Sequence, residues 1–189
     1  MIQQYQVSVD SLSDNFLANL QEHYPHAQLE IKVKTPKYFE GLNETEFWNI
    51  IALFDWKNDD DTTILSKAIN VLAAKPIRHI YEFQDILSKK LFALDTIAHA
   101  KNTGGNNWVS KDSDFSVDEF LYARCCVVAN GQSFYNKVLK NPELMPRDMA
   151  FEGILTLAHL AYRLKTNKIF RYIPIFNVET FANKKGWAA

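Results

Sequence analysis

The chain has little cysteine: two residues in 189, Cys125 and Cys126, side by side. Neighbouring residues on a helix point in different directions, so no disulfide between them is expected and a reducing compartment fits. The expected location is therefore cytoplasmic. A basic excess is also missing, since 21 Lys and Arg stand against 22 Asp and Glu for a formal charge of −1. That balance argues against a nucleic-acid binder, which gathers cations on one face. The longest apolar runs are far shorter than a membrane span, and MIQQYQVSVD lacks the basic start and apolar middle of a signal peptide. No Ser-His-Asp signature, nucleotide loop or paired-carboxylate motif stands out. Gly104-Gly105 has no preceding strand and following helix, so it makes no phosphate cradle. Asn58-Asp59-Asp60-Asp61 lacks the glycine and spaced oxygen ligands of a calcium loop and reads as a helix cap. Neither a metal nor a cofactor is expected, and there is no internal repeat or low-complexity tract.

What is present is an ordinary globular composition, 47% apolar and 23% charged, on a chain long enough for one good core and a small appendage. The pattern centres on Val117 to Ala129, which is apolar almost all the way round at helical spacing. Such a helix belongs inside a core rather than on its surface. Asn130-Gly131 offers the left-handed turn that ends it. Within the buried half sits Arg124, a permanent charge that needs a partner. Cys125 and Cys126 lie near the far end of this greasy helix. A reactive thiolate wants an electropositive, partly exposed setting, so both read as inert core residues.

Along the chain, residues 1–38 read as a small β-α-β element. Tyr5, Val7 and Val9 alternate with polar residues, Phe16, Leu17 and Leu20 form a helical stripe that Pro25 stops, and Leu29, Ile31 and Val33 alternate again. Two strands are too few to be stable alone, and Ile169 to Phe176, in a tail of residues 169–189, would supply a third. Pro174 places that segment at an edge. Residues 39–168 read as helical throughout. Asn43 with Glu46 forms a capping box opening Glu44 to Trp56; helices follow over Thr62–Ala74, from Pro76 to about His99, and over Asp148–Lys165. The expected class is α+β, predominantly α: a helical bundle-like domain around a buried central helix, with the β-α-β element completed by the C-terminal strand.

The runs FWNIIALFDW, LSKKLFALD and FLYARCCVVANGQSFYNKVL, followed by the pair Met145-Pro146, occur in that order. Over roughly residues 44–166 the chain resembles a bacterial group known as domain-of-unknown-function family 4240. The resemblance implies a compact, mostly helical domain and carries no activity, so it supplies no catalytic residues.

Candidate chemistry is sparse. Asp95 and His99 lie one helical turn apart and could orient a base or offer two metal ligands; a cap interaction at a helix end explains them as well. His79 and His159 would have to join them from other helices. Arg124 could face a cleft and bind an anion, or lie inside as a structural pair with Asp95, Glu46, Asp118 or Glu152; its apolar neighbours favour the pair. Trp48, Trp108 and Trp187 do not follow core spacing and stand as candidate partner-interface residues. Two readings follow. The first is a non-enzymatic protein-binding module of immunity or regulator type, contacting a partner or a second copy through residues 1–38. The second is an enzyme or small-ligand binder with an interhelical pocket using Arg124 or Asp95 with a histidine.

Overall fold

The structure, a computed structural model, describes residues 14–28, 41–110 and 114–188. The chain divides into two compact units, Met1–Phe39 and Glu40–Ala189. In the first, helix α1 spans Asp14–His23 and stops just before Pro25, whose ring cannot continue it. His26 completes the turn at a φ of 73°.

The second unit contains α2 (Glu44–Ile51), α3 (Asp61–Ala74), α4 (Ile77–Leu94), α5 (Ile97–Ala100), α6 (Val117–Ala129), α7 (Gln132–Lys140) and α8 (Leu157–Thr166). Single 3-10 turns occupy Gly104–Asn106, Pro142–Leu144 and Glu152–Thr156. Local chemistry sets several of these ends. The Asn43 side chain accepts from the Glu46 amide at 3.0 Å while Glu46 accepts from the Asn43 amide at 3.2 Å, a complete capping box. Asp60 caps α3 by accepting from Thr63 at 2.8 Å, and Ser116 caps α6 by accepting from Glu119 at 3.2 Å. Gly131, at φ 89°, makes the turn between α6 and α7 in a region that costs a residue with a Cβ.

Helix α6 is the centre of the packing. Every residue from Phe120 to Ala129 except Tyr122 is buried, and only its first turn reaches solvent. It packs against α4, α7 and the Glu152–Thr156 turn, while α4 also meets α8, α3 and α2. Ile80, Phe83, Leu87, Leu91 and Leu94 of α4 are fully buried at spacings of three and four. Each such side chain contributes roughly 1.5–3 kcal/mol by leaving water.

The α+β class is corrected by this structure: every regular element among the described residues is helical, and they contain no strand. The expected strand at Gln4–Val9 lies outside the described residues, as does that at Ala27–Lys34 beyond Ala27 and Gln28, which are irregular. Ile169–Phe176 is described, and it is not a strand. Its alternation is real, but the buried partner is a helix surface. Phe170 and Tyr172 stack on Tyr81 of α4 at 5.7 and 4.7 Å between ring centres, and Phe176 meets Phe92 at 5.1 Å. Tyr81 and Phe92 are about 16 Å apart along α4, and Phe170 and Phe176 about 20 Å apart along an extended chain. The segment is a strap laid along α4.

Helix boundaries also differ from the sequence reading. Helix α2 stops at Ile51 rather than Trp56. Helix α4 stops at Leu94, because Asp95 leaves helical geometry. No helix begins at Asp148, which adopts a φ of 55° and accepts the Gly105 amide at 2.7 Å. Leu87→Ala is expected to cost about 2–5 kcal/mol, the range for emptying a filled core site. It should lower the urea midpoint without changing the slope of the transition.

Candidate functional site

Arg124 projects from the middle of α6 and has no exposed surface. One terminal nitrogen donates to the Leu91 carbonyl at 3.0 Å. The other donates to the Val178 carbonyl and to Thr180 Oγ1, both at 3.0 Å. The guanidinium carbon lies 4.8 Å from the centre of the Phe120 ring, and Nε is buried with no partner. Burial works against the charge and lowers the pKa, while the negative charge of Asp95 opposes that shift. The Thr180 hydroxyl donates in turn to the Val117 carbonyl at 2.8 Å. The guanidinium thus holds the rod and the C-terminal segment together through neutral acceptors. No carboxylate lies within ion-pair distance of it among the described residues.

Asp95 is equally buried and takes the opposite role. Its carboxylate accepts from the amides of Phe181 at 3.2 Å and Asn183 at 2.9 Å, and from the Trp187 indole at 2.7 Å. Three N–H donors converge on one carboxylate, so its buried acceptor oxygens are satisfied. Close packing reinforces the clasp. Asn183 donates to the Phe92 carbonyl at 3.2 Å, and the Ile97 amide donates to the Gly186 carbonyl at 3.0 Å. A Cβ at Gly186 would stand 2.8 Å from the Asp95 carbonyl oxygen, so no larger residue fits. Phe181 and Trp187 close the site with rings 4.5 Å apart, and Trp187 meets Trp108 at 5.2 Å.

The other candidate residues fall in separate places. His99 is buried in α5; one ring nitrogen faces Thr96 Oγ1 at 2.7 Å and the other the Val138 carbonyl at 3.3 Å. Burial lowers its pKa, and the nearby Arg124 charge pushes the same way. His79 lies at the opposite end of α4 from Asp95, on the order of 20 Å away at 1.5 Å per residue. His159 packs edge-on against Phe170 on α8. Among the described residues no group of three His, Cys, Asp or Glu is placed to hold a metal. Glu46 is used by its capping box and by Lys75, 2.8 Å away. Asp118 is exposed on the first turn of α6, and Glu152 is exposed beside Tyr122, whose phenol it pushes up. Neither carboxylate bonds to Arg124.

Trp48 is buried between Phe47 and Tyr135, with Lys90 over its ring, and Trp108 and Trp187 are half-buried in the clasp. Trp56, absent from the sequence candidates, is 52% exposed. The Cys125 thiol is pushed up to about 12 by complete burial, which leaves it protonated and unreactive near neutrality. A groove lined by Glu46, Asn49, Ile50, Leu53, Val71 and Lys75 includes none of Arg124, Asp95 or His99.

The clasp gives the strap its second anchor. Asp85 of α4 accepts from the Tyr172 hydroxyl at 2.6 Å and from the Ile175 amide at 3.0 Å. Burial and that carboxylate push the Tyr172 phenol up to about 12. With Phe170, Tyr172 and Phe176 turned inward, the intervening residues face out: Ile169 is 73% exposed, Ile173 88% and Ile175 77%. Apart from the Ile175 amide, no backbone group of Ile169–Phe176 makes a hydrogen bond within the described residues. Sequence reasoning missed Asp85, Thr180 and Asn183, which act only through segments far apart in the chain. The alternation of residues 169–176 was the available signal, and it pointed to a strand instead of a strap.

The sequence model of the family described as "Protein of unknown function (DUF4240)" matches residues 42–164. The chain belongs to that family. The DUF4240 match holds Arg124, Asp95 and Asp85, whereas Val178, Thr180 and the Asp95 donors lie beyond it. No curated protein and no solved structure matches the chain.

Arg124→Met should cost about 1–3 kcal/mol or more, because it leaves the buried Leu91 carbonyl and the half-buried Val178 and Thr180 oxygens without their donor. The thermal midpoint should fall, and amide exchange over Val178–Trp187 should speed up more than in α3. An unchanged midpoint would remove the guanidinium from its anchoring role. The His99 pKa is depressed on folding, so its contribution is present above the unfolded value near 6.5 and is lost as pH falls through that value. Between about pH 7 and 5, the unfolding free energy of His99→Gln should fall less steeply than that of the wild type, by up to about 1.4 kcal/mol per pH unit.

Proposed function

We propose that this chain is a protein-binding module: a cytoplasmic, non-enzymatic partner protein of immunity or regulator type that works by masking another protein. One observation carries the reading. Ile169, Ile173 and Ile175 stand out from a strap anchored from beneath by Asp85 and at its end by Arg124. A mobile tail could hide three isoleucines by collapsing onto the core. This one is tied down with its apolar edge outward, the arrangement that marks a contact site. The buried chemistry is consistent with it, since Arg124 and Asp95 are occupied by the chain itself. Location in the cytoplasm is supported by two free, buried cysteines, and no helix among the described residues is long and apolar enough to cross a membrane.

The test is capture from the source cytoplasm by the full chain, followed by the double variant Ile173→Asp/Ile175→Asp. Both side chains are exposed, so stability should stay within about 0.5 kcal/mol of wild type. A partner bound by the wild type should be lost by the variant and kept by Trp56→Ala. Equal recovery by both variants, or no partner at all, would count against the module. A parallel arm lacking residues 1–38 asks whether the N-terminal region joins the contact.

A further inference from the structure

Between Leu157 and Val178 the sequence contains Arg163, Lys165, Lys168 and Arg171 and no carboxylate, in a chain of formal charge −1. Lys165 gives its ammonium to the Ala73 carbonyl at 3.1 Å. Arg163, Lys168 and Arg171 are exposed and enter no ion pair among the described residues. The carboxylates beneath the strap are engaged: Asp85 by Tyr172 and the Ile175 amide, Glu82 by Arg78 and the Leu42 amide. Exposed, unpaired Lys168 and Arg171 therefore stand among the isoleucines, in a chain that is slightly acidic as a whole.

We infer that this surface receives an acidic, extended segment of a partner protein, laid beside Ile169–Ile173 as an added strand. The inference rests on the protein-binding reading above. Backbone geometry supplies the first support. Ile169–Ile173 has no regular secondary structure of its own, its exposure alternates residue by residue, and its amide and carbonyl groups make no hydrogen bond within the described residues, so they are free to pair with an added strand. Pro174 has no N–H and ends the available edge, which limits the added strand to about five residues. Side chains supply the second. An added strand would set apolar residues beside Ile169 and Ile173 and, two residues from each, a carboxylate beside Arg171, with Lys168 at the entry to the edge.

Charge decides between occupants. A second copy would bring the same cations against themselves, and like charges directly opposite are destabilising. An anionic lipid surface matches the charge, but it would sink unpaired backbone groups into a medium without hydrogen-bonding partners. A peptide satisfies those groups.

The test selects from a displayed library of random peptides of about eight residues, long enough to hold a typical strand of about five with flanking positions, on the immobilised full-length protein. Binders are then measured by fluorescence anisotropy. Selected peptides should carry Asp or Glu two residues from each of two apolar residues, in the order apolar-x-acidic-x-apolar, because Ile169, Arg171 and Ile173 share one face. Affinity should fall on the order of tenfold between about 50 and 300 mM salt, since the contacts are exposed and screened. The triple variant Arg163→Glu/Lys168→Glu/Arg171→Glu should lose binding by about tenfold or more while keeping its thermal midpoint. Neutral or basic peptides, an apolar spacing of three and four, no selection at all, or undiminished binding to the triple variant would each overturn the inference. So would Ile173-dependent binding to phosphatidylserine vesicles in place of peptides. If a captured partner needs Ile173 and Ile175 yet the peptides are not acidic, the acidic strand fails and the module stands. If no partner depends on those isoleucines and no peptide is selected, both fail.

Discussion

A permanent positive charge inside a dry core has to be answered by something, and here the answer organises the molecule. Arg124 meets no carboxylate. It meets a carbonyl from α4 and a carbonyl and a hydroxyl from a segment more than fifty residues later in the chain. Desolvating a guanidinium costs several kcal/mol, and hydrogen bonds to charged donors return roughly 1.5–3 kcal/mol each. Leu91 alone could not offset the burial. The tail is therefore required for the rod to be buried as it is, just as the rod is required to hold the tail.

Asp95 mirrors this arrangement with the sign reversed. It sits where α4 ends, because the helix must stop for its carboxylate to gather the Phe181, Asn183 and Trp187 donors. Two opposite buried charges act on the same ten residues without touching each other. Upstream, α8 ends in a left-handed Asn167 at φ 54°, which turns the chain out of the helix and onto α4. Between that turn and Val178, the strap has no freedom to withdraw its isoleucines. Isolated exposed residues such as Val109 call for no explanation. Three outward isoleucines in a held segment do.

Much of this was readable from the sequence where the signal is local. The all-round apolar pattern of Phe120–Ala129, the Asn43–Glu46 box and the glycine turn at Gly131 depend only on neighbours, and they appear as read. Residues 169–176 show the limit. Alternation reports that one face is covered and says nothing about what covers it. A sheet was the natural reading; the covering surface is Tyr81 and Phe92 on a helix. Trp48 lies inside the core for a related reason. Trp48 departs from the stripe of its own helix, yet Tyr135 and Lys90 arrive from α7 and α4 to enclose it. The partners of Arg124 were illegible because its acceptors are two backbone carbonyls and a threonine hydroxyl, groups that every sequence contains in plenty.

One consequence concerns where this domain ends. Family membership is recognised up to residue 164, but apart from the Leu91 carbonyl the hydrogen-bond partners of its two interior charges are supplied by residues 178–187. The unit of descent and the unit of folding therefore do not coincide in this chain. A fragment cut at the boundary of likeness would leave the Arg124 cation with a single acceptor and the Asp95 carboxylate with none of its three donors, both newly open to water.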